Sequence, residues 1–198
     1  YGGGEPACDE SAAAGSDFPA ALCKAWEREA ANAAASGARV CRLRLGLVLG
    51  RDGGLLQGLL PAYRLALGAR LGDGRQWISW IHIDDAVELI VRAIADPLFS
   101  GPINATAPHA VRQAEFAGAL GRALRRPVRL AIPAWPLRFG LGTMASLLLE
   151  GQRVMPKRAL EIGFAFRWHE IEPALRDLVG PRGPRAGATV RLLDSLLT

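Results

Sequence analysis

Gly72-Asp73-Gly74-Arg75-Gln76-Trp77-Ile78-Ser79-Trp80-Ile81-His82-Ile83-Asp84-Asp85 is the stretch on which the fold turns. Gly72-Asp73-Gly74 reads as a turn. Trp77 to Ile83 is an apolar run of strand length. Asp84 then reads as the cap of a helix whose face includes Val87, Ile90, Val91 and Ile94 and which ends before Pro97. Turn, strand and capped helix form one unit of an alternating β and α chain.

The same alternation extends outward in both directions. Upstream, Asp17 caps a helix with Pro19 in its first turn, Leu22, Trp26, Ala30 and Ala33 on one face, and Gly37 as its stop. Arg39 to Leu49 is a strand in which Leu43, Leu45, Leu47 and Leu49 alternate with Arg42, Arg44, Gly46 and Val48. After the turn at residues 50–54, Leu55 to Leu67 reads as a helix with Leu56, Leu59, Leu60 and Tyr63 inward and a kink at Pro61. Downstream come a brief strand at Pro102 to Thr106, a helix at Gln113 to Leu124 and a strand at Val128 to Ile132. Apolar helix from Pro133 to about Leu149, a short helix from Pro156 to Ile162 and an amphipathic one over Glu170 to Val179 complete the pattern. Residues 1–16 read as a loop and the Pro/Gly/Arg run after Gly180 as a linker or tail, with one apolar turn at Val190 to Leu197. Strands alternating with helices predict an α/β chain containing parallel sheet, and the more helical later part predicts a pocket-bearing lobe.

Bulk composition narrows the classes. The 198 residues are 50% hydrophobic and 22% charged, enough for one ordinary domain with a real core. No uncharged apolar run reaches membrane-spanning length; the most apolar stretch, Trp135 to Leu149, contains Arg138 and two glycines. Cys8, Cys23 and Cys41 form no Cys-x-x-Cys pair, so neither a disulfide framework nor a zinc site is expected, and a cytoplasmic location is. The net charge of +5 comes from scattered arginines, apart from the group Arg122, Arg125, Arg126 and Arg129, without the basic stripe of a nucleic-acid binder. A start at Tyr1-Gly-Gly-Gly fits a chain cut from something longer and lacks the pattern of a signal peptide.

Motifs of cofactor and metal chemistry are sparse. There is no G-x-G-x-x-G between strand and helix, no Walker sequence, no H-E-x-x-H and no G-x-S-x-G. His82, His109 and His169 lack metal-ligand spacing, so no metal is expected. His82 reads either as a pocket residue or as a buried histidine bonded to backbone beside a helix cap. Trp77 and Trp80 read either as pocket lining or as packing.

Taken together, several segments resemble one family. The opening stretch is similar to the "GdGxqxRdfihVdDva" segment of extended short-chain dehydrogenases, the NAD-dependent epimerase/dehydratase superfamily. Arg42 to Gly50 looks like its "lRxgnvyGp" strand, Gly101 to Pro108 like its "gxvyNvgsg" strand and turn, and Tyr1-Gly2 like the end of its "SSxavYG" segment. Asn104-Ala-Thr-Ala-Pro108 and Glu150-Gly151-Gln152-Arg153-Val154-x-Pro156-Lys157-Arg158 resemble an atypical sugar-nucleotide epimerase-like subfamily with a short C-terminal domain of unknown function.

That resemblance implies a partial Rossmann-type, doubly wound sheet with a smaller, mostly helical substrate-side lobe. It implies a division into the C-terminal part of a dinucleotide-binding domain at 1–110, a substrate-side lobe at 111–179 and a tail at 180–198. It also implies NADP or NAD as cofactor, with the main glycine loop upstream of Tyr1. Arg44, Gly46, Leu47, Val48 and Trp26 are then the cofactor-side residues, and Arg75, Trp80, His82 and Lys157 the substrate-side ones. The family's Tyr-x-x-x-Lys pair, in which an ammonium lowers a phenol's pKa for acid/base work, is absent: Leu22 and Trp26 stand in its place. Ile78 stands where sugar-nucleotide enzymes carry a diphosphate-binding arginine. The function expected is an NAD(P)-dependent oxidoreductase or epimerase-like protein acting on a small molecule, with little catalysis from residues 1–198 alone. The competing reading is a non-catalytic dinucleotide-binding sensor or scaffold.

Overall fold

A computed structural model describes residues 4–145 and 149–180. The expectations for Tyr1-Gly2 and for the tail after Gly180, including its apolar turn, lie outside these residues. The expected α/β class is observed, with parallel strand pairs and covering helices.

The chain begins with β1 (Gly4–Cys8) and α1 (Phe18–Asn32). Asp17 caps α1 through a bond from Ala20 N at 3.0 Å, and Gly37, at φ 82°, ends the short 3-10 turn that follows. β2 (Cys41–Leu45) and β3 (Leu47–Leu49) come from the single strand read in the sequence, broken at Gly46. α2 (Gly54–Arg64) buries Leu56, Leu60 and Tyr63. β4 (Ala69–Leu71), β5 (Trp77–Ile78) and β6 (Trp80–His82) lead into α3 (Ile83–Ala95). β7 (Gly101–Ala105), β8 (Val111–Arg112), α4 (Gln113–Leu124), β9 (Leu130–Ile132) and α5 (Ala134–Leu141) follow. β10 (Gln152–Val154), α6 (Lys157–Glu161) and α7 (Ile171–Val179) close the described chain.

Four strand pairs are parallel: β1 with β10, β2 with β7, β3 with β6, and β4 with β9; β5 with β8 is antiparallel. The central event is the break at Gly46. Its N–H donates to Ala105 O at 3.0 Å, and the next N–H, of Leu47, donates to Ser79 O at 2.8 Å. One strand thus leaves β7 and joins β6 within a single residue. A Cβ on Gly46 would lie 2.6 Å from Ser79 O and 2.8 Å from Thr106 Cγ2, so only glycine passes here.

Two cores hold the helices to the strands. One packs Leu49 and Leu56 with Trp80, Phe116, Leu120 and Leu175. The other packs Ile81 and Leu89 with Phe99, Ile103, Phe164 and Phe166. Arg39 closes the C-terminal end of α3 by donating to the carbonyls of Ala93, Phe99 and Ile94 at 2.6–2.7 Å, which satisfies groups a helix end leaves open. Arg51 ties α7 back to the turn after β3 by donating to Gly180 O at 2.6 Å and to Asp177 O.

Four local expectations are corrected. Residues 1–16 are not all loop: β1 lies among them, invisible in the sequence because Gly-Glu-Pro-Ala-Cys has no alternation and its pairing with β10 is long-range. Asp84 is not the cap of α3; His82 is, through its Nδ1, and Asp84 and Asp85 occupy the first turn. Nor is the inward face of α3 the one with the bulkiest residues. Ala86, Leu89 and Ala93 are buried together with Val91 of the expected face, while Ile90 and Ile94 are 42% and 68% exposed. Finally, α1 buries no residue within this chain: Leu22 is exposed and Trp26 is 66% exposed.

Candidate functional site

A cleft of about 1140 Å³ opens between α1, the C-terminal ends of β2 and β7, and the group formed by α2, β4, β5 and β9. That volume exceeds the roughly 300–1,000 Å³ of common small-molecule pockets. In open α/β sheets ligands bind outside the carboxyl ends of parallel strands, where the connections part. Arg44, Leu45, Gly46, Asn104 and Thr106 place this cleft at such ends.

The floor is cross-tied. Ser79 donates its hydroxyl to Gln152 O at 2.6 Å and accepts from Val154 N at 2.9 Å, fastening the β5–β6 break to β10. Fully buried Asn104 donates its amide to Met155 O at 2.9 Å, and its backbone N–H donates to Glu10 Oε1 at 2.9 Å. Glu10 also accepts from Arg158 N at 3.2 Å, so one carboxylate joins the loop after β1, β7 and α6. Asp9 beside it accepts from Ser11 and pairs with Lys157 at 3.1 Å, and these contacts hold its carboxyl down at about 2.

One wall carries the charge. Arg44 grips Glu27 of α1 through two bonds, Nε to Oε1 at 2.6 Å and Nη2 to Oε2 at 2.8 Å, and donates to Glu10 O at 3.1 Å. The pairing holds the Glu27 carboxyl below its ordinary range, with the Arg44 hydrogen bonds as the main cause. This fork–fork pair fixes α1 against β2.

The residues singled out in the sequence separate into groups. Trp26, Arg44, Gly46 and Leu47 all line the cleft. Val48 does not; it points the other way and packs on the second core. Of the substrate-side set, none lines the cleft. Arg75 is exposed, its N–H donating to Asp73 at 2.9 Å. Lys157 is on Asp9. Trp80 is fully buried, its indole N–H donating to His109 O at 3.0 Å, whereas Trp77 does line the cleft.

His82 is 1% exposed. Its Nδ1 accepts from Asp84 N at 3.1 Å, its Nε2 is 3.4 Å from Asp177 Oδ2, and its ring stacks on Trp168 at 4.8 Å. Ligand atoms of His82, Asp84 and Asp177 lie within 4.8 Å of one another. Because Nδ1 accepts a backbone proton, the neutral ring carries its own proton on Nε2, facing Asp177; a cation there would have to displace it. The arrangement suits a clamp between α3 and α7. Buried Asp85 extends it by accepting from the N–H groups of Arg167 and Trp168 at 2.9 and 3.0 Å.

Sequence reasoning passed over Ser79, Glu10 and Tyr63 as site residues. Tyr63 lines the cleft, but burial pushes its phenol up to about 12 and Leu67 stands four residues on, so it is not a Tyr/Lys pair. Ser79 and Glu10 gave no signal because their partners are far away in sequence.

The fold and cleft define a class: an α/β protein of Rossmann type with a cleft at the ends of parallel strands. Residues 17–104 match the family model of the NAD dependent epimerase/dehydratase family, and residues 132–178 match a domain of unknown function, DUF1731. The chain belongs to the NAD dependent epimerase/dehydratase family, in the group whose C-terminal part is the DUF1731 domain.

It is 43% identical over 171 residues to the chloroplastic epimerase family protein SDR39U1 homolog of Arabidopsis thaliana, a match covering 86% of this chain and 49% of that one. The structure of human epimerase family protein SDR39U1 (isoform 2) with NADPH is similar at a TM-score of 0.82 and 34% identity, covering 90% of this chain and 61% of that one. A nucleoside-diphosphate sugar epimerase from Corynebacterium glutamicum is similar at a TM-score of 0.72 and 30% identity, covering 97% of this chain and 37% of that one. The chain spans about half the length of the curated relatives it matches. Among the described residues no helix is long and apolar enough to cross a membrane.

Proposed function

We propose that this chain forms the substrate-side part of an NAD(P)-dependent oxidoreductase or epimerase-like enzyme that acts on a small molecule. The observation that carries the reading is the cleft at the carboxyl ends of β2 and β7, with Trp26, Arg44, Gly46 and Leu47 on one wall. The dinucleotide would lie along that wall, where glycine lets a ligand approach the backbone closely. The NADPH held by the human relative supports the cofactor class. When bound, the dinucleotide would supply hydride chemistry. Trp26 and Leu47 would offer it apolar surface, and the Arg44–Glu27 pair would keep α1 in place.

A second reading is a dinucleotide-binding sensor or scaffold without turnover. The replacement of the family's Tyr/Lys pair favours it: Leu22 and Trp26, which stand in its place, offer no acid/base group. Calorimetric titration with NADP(H) and NAD(H) tests both, on residues 1–198 and on a chimaera joined to the N-terminal segment of the human relative. We expect binding by the chimaera and little by residues 1–198 alone. No binding by a folded chimaera would remove the cofactor from both readings. Binding without cofactor turnover against a panel of carbonyl compounds and alcohols would favour the sensor.

A further inference from the structure

The end of the cleft away from α1 has a chemistry of its own. Leu59, Tyr63, Leu67, Leu71, Ile78 and Ile132 line it, contributed by α2, β4, β5, β9 and the turn after α2. The cations that line the cleft, Lys24, Arg42 and Arg44, are on α1 and β2 instead, and Arg44 is held by Glu27. Near β5 the charged lining group is Glu150, an acid, next to Gly151, whose backbone packs directly on Trp77.

Two arginines come close without lining the cleft. Arg112 and Arg153 lie over the Trp77 ring, 3.7 and 5.2 Å from its centroid, and Arg112 also donates to Arg75 O. The amides at this end are engaged with backbone. Gln113 accepts from Leu71 N at 3.0 Å and donates to Ala69 O at 3.4 Å, and Gln76 donates to Leu71 O at 3.2 Å.

A diphosphate against this apolar lining would lose its hydration, and among the described residues no cation lines this end; Arg112 and Arg153 lie over the Trp77 ring instead. Burying an anion unpaired is far costlier than burying an apolar group, and phosphate sites are built on guanidinium forks. We infer that this end of the cleft takes an uncharged, mainly apolar small molecule and excludes nucleoside-diphosphate sugars. Calling that molecule a substrate rests on the function proposed above; the chemistry of the pocket does not.

Equilibrium dialysis of the 198-residue chain, with benzophenone as a neutral apolar ketone and with UDP-glucose, tests the inference. Benzophenone should bind, photolabel the α2–β5 wall, and resist displacement by UDP-glucose. Ile78→Arg should weaken it about tenfold through the buried charge. Leu67→Glu, at a position 55% exposed and so tolerant of a charge, should do the same with the fold intact by circular dichroism. The inference is overturned if UDP-glucose binds and displaces benzophenone, if benzophenone does not bind, or if both variants bind it as well as the parent. NADPH titration is a separate readout: its failure would remove the proposed function while leaving the benzophenone result standing.

Discussion

His82 shows how one buried ring can be read from its neighbours. Burial is the main cause pushing its pKa below the ordinary 6.5, against the opposing pull of Asp84, Asp177 and Asp85. Arg167 faces the same cluster across Trp168, 5.5 Å from that ring's centroid. A histidine with a lowered folded pKa is protonated first in the unfolded chain. Its contribution is therefore complete above about 6.5 and declines as pH falls through that value towards the folded pKa. Urea denaturation from pH 8 to 5 should show stability dropping below about pH 6.5. His82→Asn keeps a side-chain acceptor for the helix cap. It should be less stable overall but flatter across that window; an unchanged slope would assign the pH dependence to other groups.

At the scale of elements, the switch of partner between β2 and β3 builds the site. Gly46 separates two pairings, and the gap it leaves forms part of the cleft wall. Gly46→Ala would push a methyl into Ser79 O and Thr106, and overpacking of this kind costs about 1–3 kcal/mol. The urea midpoint should fall accordingly with little change in slope; a neutral effect would mean that the β5–β6 break can shift to make room. The α3 element teaches the same point. Its existence was legible from the spacing around Asp84, but of its expected face Val91 is buried while Ile90 and Ile94 are exposed. Periodicity identifies an apolar stripe, whereas packing in the second core also buries Ala86 and Ala93.

Across the whole molecule, the first core joins α2 to α4 and α7, so residues on both sides of position 110 share one interior. Leu175, fully buried between these helices, should cost about 2–5 kcal/mol as Leu175→Ala. Thermal unfolding followed by circular dichroism and by tryptophan fluorescence should shift together. Loss of the tryptophan signal alone would show that α7 opens separately from the rest.

Sequence by itself determined the α/β class, the family, most of the helices and the absence of the Tyr/Lys pair. These reside in local patterns: the caps and stops of helices, the alternation in strands and the order of motifs along the chain. It also assembled part of one wall, because Arg44, Gly46 and Leu47 are neighbours on a single strand. Tertiary structure alone decided that Trp80 and His82 belong to the interior, that Arg75 and Lys157 lie off the cleft, and that Tyr63 lies on it. It also made Ser79 and Glu10 the fasteners of the floor. Those outcomes depend on contacts between residues far apart in the chain, and whether a tryptophan or a histidine lines a pocket or fills a core is set by what packs against it, which no local spacing encodes.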